Sequence, residues 1–319
     1  MRLAPSACLL LPVLLAAQDP VLPPTGVQAL PAAPPLAIDF AKPSRVLALP
    51  PKLLEVSALA ALDDTRAACL QDEKGRLYEV DLGTGELLGT RAFGPDGDYE
   101  GLARTDAHWF ALRSDGVLLR FPREPSLLAR TEALALGLAE KDCEALALDR
   151  CGTRLLVAPK ARPEGGKEER DLRRVYAWDV ARAALEPDPA FTLSVARLLE
   201  QAVARGLATP MKKAKGGRKQ ATGAEAPAEV PHLQLAISEL AVHPQGGELW
   251  ILSSADKALL VVDRKGDLVH LQLFDPALLP QPEALAFLPC GDLVVASEGR
   301  DGPAVMVRYA KASEKPQAK

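Results

Sequence analysis

The sequence predicts an all-β fold: a single β-propeller of four-stranded blades, five blades rather than six, with the ring closed by an N-terminal strand. Three observations carry the prediction. First, a short motif recurs five times: a Glu or Ser, a variable and usually small residue, then Leu-Ala. The copies are Ser57-Ala58-Leu59-Ala60, Glu100-Gly101-Leu102-Ala103, Glu144-Ala145-Leu146-Ala147, Ser238-Glu239-Leu240-Ala241 and Glu283-Ala284-Leu285-Ala286. Second, the steps between copies are 43, 44, 94 and 45 residues, a period typical of repeated supersecondary units. Third, short alternating apolar runs fill the space between copies, separated by Asp/Gly-type turn residues. Four such strands per about 40–45 residues make a propeller blade.

The elements follow in order. Residues 1–17 read as a signal peptide, with Arg2 before the apolar run Leu9–Ala17 and small Ala16-Ala17 at its end; the alternative is an uncleaved anchor. Export makes the expected location periplasmic or secreted, with a possible membrane tether. Residues 18–43 are a Pro/Ala-rich tether, and the propeller is expected over 44–311. In the first repeat the strands are Ser57–Leu62, Arg66–Gln71, Arg76–Asp81 and Glu86–Phe93, broken at Asp63-Asp64, Asp72–Gly75 and Gly83–Gly85. Later repeats give His108–Leu112 and Val117–Phe121, then Arg154–Ala158 and Val175–Asp179, then Glu248–Leu252 and Leu259–Asp263, then Asp292–Ala296 and Ala304–Tyr309. The last repeat has three strands, and Val46–Leu49 is placed as its fourth, which removes two exposed sheet edges. The 94-residue step leaves room for a sixth blade. However, Arg162–Arg174 is polar, and 206–231 is a low-complexity insertion without enough apolar residues to order itself. What remains is one blade and a short helix, Ser194–Arg205. Residues 312–319 read as a disordered tail.

Composition excludes some functions. The chain has 319 residues, a net charge of −4 and scattered Lys/Arg, and only 4 % of residues are aromatic. That argues against nucleic acid as a partner, and the closed array reads as a monomer. The five cysteines fall to four after cleavage. Cys143 and Cys151 flank one hairpin arm, but free thiols are expected rather than a disulfide framework. No Cys-x-x-Cys occurs, which argues against a thiolate zinc site. The four His are dispersed, and none has the setting of a catalytic base.

In a propeller, the first strand of each blade lines the central channel. The motif therefore brings Ser57, Glu100, Glu144, Ser238 and Glu283 to one mouth. The ends of the second strands stand around them: Gln71-Asp72, Arg113-Ser114, Pro159-Lys160, Ser253-Ser254 and Ser297-Glu298. Ser57, Asp72, Arg113, Ser238, Ser253 and Glu298 are the expected lining. Three converging carboxylates repel, and must protonate, spread or share a cation. Hard oxygens suit Ca2+, with Glu100, Glu144 and Glu283 as the candidate ligands; the alternative is three Glu that bond backbone amides and hold blades in register. Asp96, Asp98 and Glu100 also form a local Asp-x-Asp-x-Glu pattern, in a Gly-rich setting that reads as a turn.

An ordered run of motifs resembles the bacterial SdiA-regulated family. The run comprises Gln71–Gly75, Asp98-Tyr99-Glu100-Gly101-Leu102, Arg113–Gly116, Ala241-Val242-His243-Pro244, Ile251–Ser254, Gln281-Pro282-Glu283 and Ser297-Glu298-Gly299. It spans roughly 44–310. The resemblance implies a five-bladed propeller, exported or membrane-tethered, with a calcium site and no established activity. Ala145 and Ala284 depart from it where Gly is more usual, and Glu239 departs where a small residue is. The expected function is a calcium-stabilised module outside the cytoplasm that binds a small ligand or an exported protein. The alternative is a metal-dependent hydrolase: phytase-like, using Arg113, Lys160 and Arg300 to grip phosphate, or lactonase-like. The chain contains no Asn, which weakens the lactonase reading, and no Gly-x-Ser-x-Gly elbow is present. A purely structural propeller is the third reading. No catalytic residue is assigned.

Overall fold

The computed structural model describes residues 38–40, 42–124, 130–140, 142–160, 162–208 and 233–311. The expected signal segment, most of the tether, the insertion from 209 onward and the tail 312–319 lie outside these residues.

Five antiparallel sheets follow one another along the chain. The chain enters through β1 (Arg45–Ala48). Blade 1 is β2 (Val56–Ala61), β3 (Arg66–Gln71), β4 (Arg76–Asp81) and β5 (Leu87–Ala92). Blade 2 is β6 (Tyr99–Arg104), β7 (His108–Arg113), β8 (Val117–Pro122) and β9 (Glu132–Ala135). Blade 3 has β10 (Cys143–Leu148) and β11 (Arg154–Pro159), then a short helix α1 (Lys167–Asp171), β12 (Leu172–Asp179), β13 (Ala184–Leu185) and β14 (Phe191–Ser194). A helix α2 (Val195–Ala204) precedes blade 4, which is β15 (Ile237–Val242), β16 (Leu249–Ser253), β17 (Ala258–Val262) and β18 (Leu268–Leu273). Blade 5 is β19 (Pro282–Phe287), β20 (Leu293–Ser297) and β21 (Val305–Tyr309), completed by β1, whose Arg45–Ala48 pair Arg308–Val305. The protein is a five-bladed β-propeller closed by its N-terminal strand.

Period-two alternation explains how the blades stack. Successive side chains of a strand point to opposite faces of its sheet, so each blade offers an apolar face to both neighbours. The buried apolar residues accordingly form five clusters, one between each pair of adjacent blades, rather than one central core. Leu59 packs toward blade 5 and Leu285 toward blade 4. The motif Leu is thus a wedge between blades.

The 94-residue step holds no sixth blade among the described residues. The long strand β12 uses its two ends differently: Trp178 and Asp179 pair β13, and Leu172–Val175 pair β14. The fourth strand of blade 3 is therefore split in two. The polar stretch Arg162–Arg174, expected as a loop, contains α1 and the start of β12. Ser194 caps α2, its Oγ accepting from Arg197 N at 3.1 Å. Val195, Leu198 and Ala202 then bury that helix in the blade 3–4 cluster. Arg173, 2 % exposed, donates to the carbonyls of Gln234 and Leu235 and pins the chain where it enters blade 4. All four described cysteines are free; Cys143 opens β10 and Cys151 lies in the turn beyond its far end.

Candidate functional site

The same irregularity occurs in every blade. Between the first and second strands the register shifts once, skipping Ser57, Glu100, Glu144, Ser238 and Glu283. The residue before each skip pairs with the end of the second strand: Val56 with Gln71, Tyr99 with Arg113, Cys143 with Pro159, Ile237 with Ser253, Pro282 with Ser297. An extra residue opposite one partner is a β-bulge, which re-aims its side chain. The motif position that alternates between Ser and Glu is the bulged residue in all five blades.

The bulged side chains interact across blades. Ser238 Oγ donates to the Pro282 carbonyl at 3.1 Å, and Ser254 and Ser238 lie close enough to Glu283 to favour its charged form. Lys160 Nζ donates to Glu144 Oε2 at 3.0 Å, with Glu144 nearly buried and the Lys160 side chain 35 % exposed. Burial works against the Lys160 ammonium, but Glu283, Glu144 and Glu100 outweigh it and hold its pKa above the ordinary lysine range. Burial, the Glu144 charge and a hydrogen bond with Asp98 push the Glu100 carboxyl up to about 10. Burial raises Glu144 to about 7 despite Lys160. Burial also raises Glu283, against the opposing pull of Lys160. Farther out, Asp72 is raised to about 6 by burial and Glu55, and Glu298 to about 7 by burial, Glu283 and Asp72. These mutual influences place side chains of all five blades around one acidic mouth.

Three buried oxygens there have no partner, one of them Gln71 Oε1 at the end of β3. Ser57, 3 % exposed and bulged toward the channel, leaves its Oγ unsatisfied. Glu239, 1 % exposed, accepts from Leu146 N at 3.2 Å and Leu240 N at 2.9 Å through Oε1, while Oε2 has no partner. Burial holds its carboxyl well above the usual carboxylate range.

Not every expected lining residue turns to the ring. Arg113 pairs with Asp115 in its own turn. Ser253 is fully buried and donates to Asp256 Oδ2 at 2.6 Å, while Asp256 also accepts from Gln234 N and Leu235 N. The three cations offered for phosphate are all engaged: Lys160 on Glu144, Arg113 on Asp115 and Arg300 on Gln281. The sequence placed Lys160 at the ring and offered it as a phosphate contact but not as the partner of Glu144, and it did not mark Glu239 and Glu55 as parts of the mouth. The register to Pro159 and Val56 marks where Lys160 and Glu55 lie, but nothing in the repeat marks their direction. In kind, the carboxylate and hydroxyl oxygens suit a hard cation. Among the described residues, no three His, Cys, Asp or Glu side chains converge as a ready-made metal cage.

The other end of the channel is different. A cavity of about 800 Å³ opens there. It is lined by the far ends of the first strands, such as Ala61, Arg104, Leu148, Val242 and Phe287. The carboxylate ring is at the opposite mouth.

No family model matches the chain, and no curated protein matches it. Solved structures do. The crystal structure of Myxococcus xanthus glutaminyl cyclase superposes with a TM-score of 0.50 at 13% sequence identity, covering 85% of this chain and 97% of that one. At that identity the likeness shows the fold alone, and it agrees with the five-bladed propeller described above.

Proposed function

We propose that this protein is a binding module acting outside the cytoplasm, whose carboxylate mouth takes a hard cation, calcium first. The mouth's loops then hold a small ligand or an exported partner. The observation that carries this reading is the bulge repeated in all five blades, which turns five oxygen-bearing side chains toward one mouth. Glu100, Glu144 and Glu283 are the proposed ligands. The unsatisfied Ser57 Oγ is a further oxygen of the kind calcium accepts. The test is calcium titration of the full chain by calorimetry, repeated with Glu283→Gln. Saturable binding weakened by the substitution supports the reading; absence of binding to either rejects it.

A second reading is favoured by one observation: Glu100 sits on its bulge, where burial, Glu144 and Asp98 push its carboxyl above the usual carboxylate range, the direction a general acid requires. The structural neighbour is named as an enzyme, a glutaminyl cyclase, which gives a concrete substrate to try. Ammonia release from a peptide with N-terminal glutamine, lost in Glu100→Gln, would move the assignment from binding to catalysis. A phosphoesterase is less favoured, because its three cations are already engaged.

A further inference from the structure

Of the five residues that follow the second strands, Asp72, Ser114, Lys160, Ser254 and Glu298, only one is a cation. Lys160 is held from both sides. Its backbone N–H donates to the Asp142 carbonyl at 2.8 Å, and its ammonium donates to Glu144 at 3.0 Å. Its charge is felt by Glu100, Glu144, Glu283 and Glu298, which between them belong to blades 2, 3 and 5. Lys257 also bears on Glu283, but its ammonium donates to the Ser254 carbonyl at 2.8 Å. The acidic groups facing this region are Glu55, Asp72, Glu73, Asp98, Asp142 and Glu239 besides the ring itself. Lys160 therefore stands where a shared cation would neutralise the most charge. The ring still has oxygens that no protein group satisfies, Ser57 Oγ and Glu239 Oε2.

We propose that Lys160 is the resident counter-cation of the carboxylate mouth and sets its selectivity: a divalent ion enters by displacing the ammonium from Glu144. This rests on the cation-binding reading above. Two like charges cannot share one buried carboxylate without strong repulsion, so the bound ion and the lysine exclude each other at Glu144. When the ion enters, the Lys160 side chain is released toward solvent, where it is already partly exposed.

The test titrates calcium into the full chain and into Lys160→Met and Lys160→Arg, with amine-acylation footprinting of the native protein in parallel. Lys160→Met is expected to bind calcium at least about tenfold more tightly, equivalent to about 1.4 kcal/mol, and Lys160→Arg no more tightly than the native chain. In the native protein, Lys160 is expected to be acylated faster in saturating calcium than in chelator; this arm does not depend on any variant folding. Equal affinity of native and Lys160→Met proteins, or acylation of Lys160 unchanged by bound calcium, overturns the proposal and leaves the cation-binding reading standing. No calcium binding by either protein rejects that reading and the proposal with it.

Discussion

Glu239 is a carboxyl buried deep in the repeat, 1 % exposed. Its Oε1 caps the Leu146 N–H of the neighbouring blade, a channel-edge group that no strand pairs. Its burial pushes the carboxyl well above the usual carboxylate range. Glu239→Gln retains the acceptor and is expected to leave stability unchanged. Glu239→Leu strands a buried N–H and is expected to cost about 1–3 kcal/mol. Urea unfolding of the two variants measures both. Equal losses would show that the inter-blade hydrogen bond is not what Glu239 provides. Residue-level chemistry was only half legible in the sequence. The five bulged positions stand out because a repeat exposes them by recurrence. Glu239 and Lys160 occur once each, and their roles depend on which blade lies next to them, which a repeat does not show.

At the scale of elements, the blades are wedges and their spacing is set by small residues behind four of the five bulges, the place in blade 4 being held by Glu239. Gly101 occupies the place held by Ala58, Ala145 and Ala284 in other blades, and a Cβ there would lie 2.6 Å from Leu146 Cβ. Gly101→Ala is therefore expected to destabilise the blade 2–3 interface by about 1–3 kcal/mol, read as a lower urea midpoint. An unchanged midpoint would show that the interface yields freely. Closure makes a second element-scale prediction. The strand β1 completes blade 5 through four paired residues. Deleting residues through Ala48 is expected to lower the melting temperature by well over ten degrees or to abolish folding, since it reopens a sheet edge; deletion through residue 37 is expected to leave it unchanged. Most strands were legible because Asp/Gly turns punctuate them. The split outer strand of blade 3 was not, because Arg162–Arg174 is polar and its ordering comes from tertiary partners such as Asp171, which accepts from Ala196 N at 2.9 Å.

The whole molecule concentrates unfavourable carboxylates at one mouth, on the face away from Ile38, which bridges Lys311 beyond the cavity-side end of β21. That concentration gives a pH signature. Asp72 rises from its ordinary 3.8 to about 6, and Glu298 from 4.5 to about 7. A carboxyl raised in the folded state binds more protons than in the unfolded chain, so stability falls as pH rises between the two values. In chelator, the melting temperature is expected to be highest near pH 4–5 and to decline toward pH 7 over the window these groups define; a rise over that window would contradict the raised values.

The most direct measurement is the melting temperature of the full chain in EDTA and then in excess calcium at neutral pH. A ligand held only by the native form stabilises it. The predicted result is a rise of several degrees with calcium, reversed by chelator. An identical melting temperature in both conditions would contradict the cation-binding mouth and leave the bulged Ser and Glu residues as ties between blades.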